Sequence, residues 1–108
     1  MKVTSFNFSI PQEVFEKEIR YKIMAKLLKI REIAGDIEYL FSELKMNDPI
    51  AIMGVRKKVR LEDFKKQIDA LLEKKYLEQE GDLLRITKTG EQYASAQKGE
   101  SFGFLADY

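Results

Sequence analysis

One stretch of the chain, residues 61–93, constrains the fold more than any other, because a helical and a strand periodicity follow each other within it. Its first part repeats apolar residues with the i, i+3, i+4, i+7 spacing of one helix face. Acidic residues at positions 62 and 63 suit the first turn, where the helix dipole favours negative charge. The spacing predicts a helix over residues 62–75. Its buried stripe consists of Phe64, Ile68, Leu71, Leu72 and the aliphatic stem of Lys75.

The second part of this stretch predicts a β-hairpin followed by another helix. Two short strands, residues 76–80 and 83–87, are separated by a Gly-Asp pair that tolerates positive φ. A short helix over residues 90–97 follows, with Tyr93 and Ala94 facing inward.

The preceding residues predict two further helices. Residues 11–32 form the longer one, since Pro11 suits its first turn and a basic outer face accompanies an apolar stripe. That basic face is either solvated and partly self-paired or a surface for phosphates. Asp36 is the expected N-cap of a second helix over residues 37–45. The apolar stripe of the first helix consists of Phe15, Ile19, Ile23, Leu27 and Ile30, widened by Met24 and Leu28, and its basic face of Lys17, Arg20, Lys22, Lys26, Lys29 and Arg31.

Residues 48–60 carry the densest positive cluster of the chain. The apolar segment 49–54 is expected to supply a short strand that pairs with the hairpin. In the segment Val55–Arg60, four of six residues are basic, and its alternation suits a half-buried extended segment. The same pattern also fits a basic surface loop that has no partner.

The sequence divides into an N-terminal arm or strand (1–10), a central domain (11–97) and an aromatic C-terminal tail (98–108). Its 108 residues suffice for one core, and 44% hydrophobic with 34% charged residues argues against disorder. The net charge of +1 produces no global attraction to nucleic acid or membrane. Because no bilayer-spanning run and no signal-peptide pattern is present, we expect a cytoplasmic protein.

The chain contains no cysteine and no histidine. This excludes disulfides, thiolate nucleophiles, Ser-His machinery and zinc sites built from sulfur or imidazole. No glycine-rich phosphate loop and no EF-hand spacing occurs either. We therefore expect neither an enzyme nor a cofactor or metal site.

Two segments, Asp69–Leu77 and Ile86–Gly90, resemble the winged-helix superfamily. The first is a helix that ends directly before a strand, and the second is a hydrophobic-Thr-x-x-Gly junction similar to that of MarR-like and PadR-like transcription regulators. The helix region also resembles the C-terminal winged-helix region of cullins, to a lesser extent. Residues 21–32 lack the cullin arrangement around the modified lysine, so no modification site is implied.

The resemblance implies an α+β fold: a winged helix with a three-helix core, a two- or three-stranded wing and an extra C-terminal helix. It also implies a regulator that binds duplex DNA, with the helix over 62–75 in the major groove. In this chain the residues expected to contact phosphates are Arg56, Lys57, Lys58 and Arg60. The residues expected to lie near base edges are Lys65 and Lys66.

Local charge favours a second function. Two carboxylates occupy the first turn of the helix that is expected to enter the groove, where phosphates and base acceptors disfavour them. The hairpin turn is acidic as well. A winged-helix protein–protein interaction module in a larger assembly, without DNA binding, is therefore the alternative. The acidic residues concerned are Glu62 and Asp63 in the helix and Glu78, Glu80 and Asp82 in the hairpin.

We predict a homodimer, because both chain ends carry apolar side chains beyond those that the central core needs. Burying one such side chain stabilises by roughly 1.5–3 kcal/mol, so the whole set contributes on the order of 10 kcal/mol before ordering entropy is subtracted. A two-fold dimer is the commonest assembly. The alternative is that both ends fold back on their own subunit, against the long helix at 12–32. Light scattering of the full chain and of a variant lacking residues 1–9 and 100–108 tests this. A monomeric full chain, or a truncated chain that still dimerises, contradicts association through Phe6, Phe8, Phe102, Phe104, Leu105 and Tyr108.

Overall fold

Helices form where apolar residues repeat at helical spacing, and strands form where they alternate. The computed structural model describes residues 9–98, which fold into four helices and five short strands of an α+β architecture, the predicted class. The expected arm and tail lie outside the described residues, apart from positions 9, 10 and 98. In chain order the elements are α1 (Gln12–Ile30), β1 (Glu32–Ala34), α2 (Ile37–Glu43), β2 (Ile50–Ile52), β3 (Val55–Lys57), α3 (Leu61–Glu73), β4 (Leu77–Glu80), β5 (Leu83–Ile86) and α4 (Lys88–Lys98).

The predicted hairpin forms the greater part of a three-stranded antiparallel sheet with strand order β1-β5-β4. On the inner face of this sheet, Leu84 and Ile86 of β5 are buried. On the outer face, the Arg85 guanidinium reaches Glu78 on one neighbouring strand (3.1 Å) and Glu32 on the other (3.3 Å). These hydrogen bonds, that to Glu78 first, raise the pKa of Arg85 above its ordinary value. These cross-strand ion pairs thus neutralise two of the exposed carboxylates of this sheet.

The third strand of this sheet is not the one that the sequence predicted. Residues 49–54 do not pair with the hairpin; β1 does, in the register Ile33 opposite Leu84. The first helix therefore ends at Ile30, two residues earlier than expected. Arg31 has φ of 73° and donates its backbone N–H to the Leu27 carbonyl, while its own carbonyl accepts from the Ile86 N–H at 3.0 Å. The prediction was wrong because the exposed edge of β5 needs backbone partners, and the segment beside it supplies them.

The basic segment 55–60 begins as a strand of a separate hairpin. β2 pairs with β3, with Ile50 opposite Lys57, and Met53 and Gly54 form the turn with φ of 53° and 83°. Two positive φ values match the hairpin turn that accommodates the natural twist of two strands. The half-buried extended character expected of residues 55–59 is confirmed, since Val59 is buried.

The core assembles around α1, which packs against α3 and α4. Most members of the predicted stripes are buried; Leu28 and Leu72 are partly buried, and two others, described below, are exposed. The rings of Phe41 and Phe64 pack edge to face, with their centroids 5.6 Å apart. Ile30 was expected inside but is 39% exposed, because α1 ends there and the chain turns into the sheet. The buried members are Phe15, Ile19, Ile23, Met24 and Leu27 of α1 and Phe64, Ile68 and Leu71 of α3.

The stem of Lys75 is also not buried as predicted. α3 ends at Glu73, and Lys75 has φ of 66° and is exposed. Its N–H bonds to the Leu72 carbonyl, and the next N–H, that of Tyr76, bonds to the Leu71 carbonyl. This pair of bonds is the Schellman motif that commonly ends helices, with a lysine in the left-handed position where glycine is usual. The helical spacing stops before position 75, so that side chain leaves the buried face.

The junction between β5 and α4 joins three elements through one threonine. The Thr87 hydroxyl donates to the Lys75 carbonyl at 2.7 Å and accepts from the Gly90 N–H at 2.9 Å, which caps α4. The Thr87 N–H donates to the Tyr76 carbonyl at 3.1 Å. A Cβ on Gly90 would lie 2.0 Å from that same carbonyl oxygen, so this position requires glycine for space. The Thr-x-x-Gly pattern is thereby explained as a docking of α4 onto the end of α3.

We predict that Gly90→Ala lowers the free energy of unfolding by about 1–3 kcal/mol or more, because the added methyl forces the backbone of Tyr76 away. This exceeds the gain of about 1 kcal/mol that alanine brings to a helix interior. Urea denaturation followed by circular dichroism measures the change. Thr89→Ala, exposed one position earlier, is the matched control and should change little. An unchanged stability of Gly90→Ala would refute the close approach.

Candidate functional site

The six basic residues predicted to contact DNA lie on β3, on the connection that follows it and on the first two turns of α3. Three of them, Arg56, Lys58 and Lys65, are exposed and have no hydrogen-bond or ion-pair partner within residues 9–98. The other three are engaged by the protein itself. The structure therefore separates one sequence cluster into free and paired cations.

Lys57 packs against α1. Its ammonium donates to Oε1 of Gln12 at 3.1 Å and lies 4.3 Å from the centroid of the Phe15 ring. A cation over an aromatic face contributes about 0.5–1 kcal/mol at an exposed site and more where it is desolvated. Lys57 thus attaches the β2–β3 hairpin to the start of α1, and releasing its charge to a phosphate would cost this contact.

Arg60 precedes α3 and neutralises the two carboxylates of its first turn. The guanidinium lies 3.0 Å from Glu62 and 3.8 Å from Asp63. The Asp63 carboxylate in turn accepts the backbone N–H of Arg60 at 3.0 Å. These acids were expected to oppose nucleic acid, but the arginine beside them compensates much of their charge. The same pairing makes Arg60 less available as a phosphate ligand.

Lys66 forms a salt bridge across two helices, with 3.3 Å between its ammonium and the Glu16 carboxylate of α1. Gln12 also donates to Glu16, at 3.0 Å. The hydrogen bond from Gln12, and after it the bond and charge of Lys66, hold the pKa of Glu16 below its ordinary value, although slight burial acts in the opposite direction. Lys66 therefore carries a partner that competes with any ligand.

The exposed surface of α3 is close to electrically balanced. Three acidic side chains face solvent beside three lysines. The hairpin β4–β5 remains acidic at its tip, because Glu80 and Asp82 have no ion-pair partner within residues 9–98. Positive charge without an internal partner in the described chain therefore remains before α3 and in its first turns. The exposed α3 residues are Glu62, Asp69 and Glu73, and Lys65, Lys66 and Lys74.

A second basic surface includes three lysines of the basic face that the sequence predicted for the first helix. Lys22, Lys26 and Lys29 line a groove of about 480 Å³ between α1, the end of α2 and α4, together with Lys45. Burial lowers the pKa of Lys22, against the opposing charges of Asp48 and Glu18. The spacing of the three α1 lysines indicates a common face, but Lys45 joins them only through the fold. Arg20 of the predicted basic face is not free for a ligand, because it donates to the buried Gln67 amide at 2.8 Å.

The chain matches no family model, no curated protein and no solved structure. Its function therefore has to be inferred from its own residues. Within residues 9–98, no helix combines the length and the apolar character that crossing a bilayer requires. The same residues contain no group of three acidic side chains arranged to hold a metal ion.

We predict that Glu16→Gln lowers the free energy of unfolding by about 0.2–1 kcal/mol at neutral pH, the usual range for an exposed pair. The lowered pKa of Glu16 means that the folded protein favours the ionised carboxylate. That stabilisation is complete above the ordinary pKa of glutamate and is lost as the pH falls through the folded pKa. The difference between the two proteins should therefore disappear in acid.

Denaturant titrations across this pH range provide the measurement, and an NMR titration of Glu16 checks the pKa directly. Glu13→Gln, an exposed position of the same helix turn without an ion pair in the described chain, is the matched control. A difference that persists unchanged in acid would contradict the assignment to the ionised carboxylate.

Proposed function

We propose that the chain is a winged-helix protein that binds duplex DNA and acts as a transcription regulator. The order of elements supports this. Three helices are followed by the β4–β5 hairpin, and β1 completes its sheet, which corresponds to a three-helix core with a three-stranded wing. α4 takes the place of the extra C-terminal helix. In this proposal α3 approaches the major groove, and the basic segment before it approaches the phosphate backbone.

The observation that carries the proposal is the set of free cations at the start of α3. Arg56, Lys58 and Lys65 lie within ten positions of each other and have no partner in the described chain. A phosphate contact at these positions displaces only counterions and water, whereas a contact to Arg60 or Lys66 must first break an internal ion pair. Binding through three phosphates fixes the position of the protein on DNA but supplies little base selectivity.

The number of free cations sets the expected strength of binding. Three phosphate contacts correspond to a slope of roughly −3 in a plot of log affinity against log salt, since each contributes about −0.9. A homodimer would present two copies of the segment and a slope of roughly −5. Both slopes are shallower than the slope of roughly −9 that ten phosphate contacts would produce. We therefore infer a moderate, salt-sensitive affinity dominated by the backbone.

A protein–protein interaction module is the second candidate. It is favoured by one observation, the balanced charge of the exposed α3 surface together with the acidic tip of the hairpin at Glu80 and Asp82. Such a mixed surface repels DNA locally and suits a partner with complementary charges. The DNA measurements below separate the two candidates.

We expect the chain to bind a random-sequence duplex with a salt slope of roughly −3 per protomer. Replacing Arg56, Lys58 and Lys65 by Ala should remove most of this affinity and flatten the slope. Fluorescence anisotropy at several salt concentrations measures both. The matched control replaces Lys74, Lys75 and Lys88 by Ala, three exposed lysines away from this segment, and should retain the affinity apart from a small loss of net charge. An affinity no tighter than about 10⁻⁴ M at physiological salt rejects DNA binding and leaves the interaction module.

Glu16→Gln should act in the opposite direction on DNA. Removing the carboxylate frees Lys66, so the affinity should rise and the salt slope should steepen by about one unit per protomer. The same anisotropy titration tests this, with Glu13→Gln as the control for loss of one negative charge. Equal effects of both variants would show that only net charge matters and that Lys66 lies outside the interface.

A further inference from the structure

The groove between α1, α2 and α4 has a wall of lysines and an apolar floor. Two turns of α1 form its longer side, about 12 Å from residue 21 to residue 29. Lys22, Lys26 and Lys29 follow one line along this helix, and Lys45 faces them from the end of α2. No acidic residue lines the groove, in a chain with 18 Asp and Glu residues. The local charge is therefore strongly positive although the chain as a whole carries only +1.

The groove exists because two small residues face each other across it. Ala25 of α1 and Ala94 of α4 lie in its lining, so the two helices leave space between them. Leu28 and the buried Leu44 supply the apolar floor. Its position between helices and its volume of about 480 Å³ fit a binding site for an apolar body that carries negative charge.

Helix α4 carries a buried amide one turn beyond Ala94, outside the residues that line the groove. Gln97 of α4 is 4% exposed, and within residues 9–98 neither Nε2 nor Oε1 of its side chain has a hydrogen-bond partner. An unpaired buried polar group costs about 1–3 kcal/mol, so such groups are normally satisfied. A carboxamide offers a donor and an acceptor together, which is the complement of one peptide unit. This unpaired amide lies next to the start of residues 99–108, but it does not belong to the groove.

We propose that this groove is the docking site for residues 99–108 of the chain. The segment has the required chemistry: it contains two carboxylates and four large apolar side chains, and it lacks any basic residue. It also begins next to the site, since Lys98 lies only about 6 Å along α4 from Ala94. Ten residues span at most about 35 Å, more than the length of the groove. The carboxylates are those of Glu100 and Asp107, and the apolar residues are Phe102, Phe104, Leu105 and Tyr108.

Charge and tethering both favour this occupant. No carboxylate lies among the lining residues, so the carboxylates of the segment meet Lys26, Lys29 and Lys45 without displacing an acid of the lining. Lys22 already donates to the Lys45 carbonyl and lies within the influence of Asp48 and Glu18. Attachment to α4 gives the segment an effective concentration in the millimolar range, which makes even a weak contact well populated. The aromatic side chains cover apolar surface of Leu28 and Leu44. The groove does not include the β3–α3 segment, so this proposal does not depend on whether the chain binds DNA.

Photo-crosslinking in the full-length chain tests the proposal. The probe is p-benzoylphenylalanine in place of Phe104, and peptide mapping after irradiation locates the crosslinks. We expect them on residues 21–29 and 44–45. The double variant Lys26→Glu, Lys29→Glu should lower the crosslink yield about threefold or more, since it converts attraction into repulsion at one half-buried and one exposed position. Circular dichroism confirms that the variant remains folded.

The matched control changes the same charges elsewhere, with Lys74→Glu and Lys75→Glu, and should leave the crosslink yield unchanged. Mixing isotopically labelled and unlabelled chains shows whether the segment comes from the same copy or from a second copy, and both results support the groove as its site. Crosslinks confined to other surfaces overturn the proposal, and so does a yield that responds equally to both pairs of substitutions.

Discussion

The arrangement of α3, the β4–β5 hairpin and α4 depends on the hydrogen bonds of Thr87, because they join the end of α3 to β5 and to the first turn of α4. Its side chain donates to the Lys75 carbonyl after α3 and accepts the Gly90 N–H in the first turn of α4, and its backbone N–H donates to the Tyr76 carbonyl. Gly90 permits the close approach that this arrangement requires. The stacking of Tyr76 on Tyr93, with ring centroids 4.2 Å apart, extends the same contact along α4. The angle of α3, the start of the hairpin and the position of α4 beside α1 therefore depend on one junction.

The junction positions α3 and α4, and each of these helices contributes to one of the two basic surfaces of the molecule. α3 and the β2–β3 hairpin place one group of cations at the start of α3, and the seating of α4 on α1 leaves the lysine-lined groove. The two surfaces differ in what their charges can do. Around α3 half of the predicted cations are paired internally, so only a part of the positive charge remains for a ligand. In the groove no carboxylate lies among the lining residues, and the partial burial of Lys22 shows that some of this charge is poorly solvated.

The accuracy of the sequence-based predictions follows the range of the interactions involved. The helix at 62–75, the hairpin after it and the N-cap at Asp36 were predicted and are present, and the Asp36 carboxylate accepts the Tyr39 N–H at 2.8 Å. Each of these depends on residues a few positions apart. The ends of helices were less predictable, since Arg31 and Lys75 adopt positive φ values that neither residue type favours. Strand β1 was missed because three residues carry no readable periodicity, and only the exposed edge of β5 makes them a strand.

By itself, the sequence determined the α+β class, the succession of helix, hairpin and helix over residues 61–98, and the absence of cysteine and histidine chemistry, because these depend on local periodicity and composition. Only the tertiary structure decided which cations are free. Lys57 meets Gln12 across 45 positions of sequence, and Lys66 meets Glu16 across 50, and no local pattern encodes such a distance. The same holds for the groove, whose fourth lysine and second alanine come from α2 and α4. The charge of each residue is known from the sequence, but whether that charge is available to a ligand depends on which groups the fold places within about 4 Å of it.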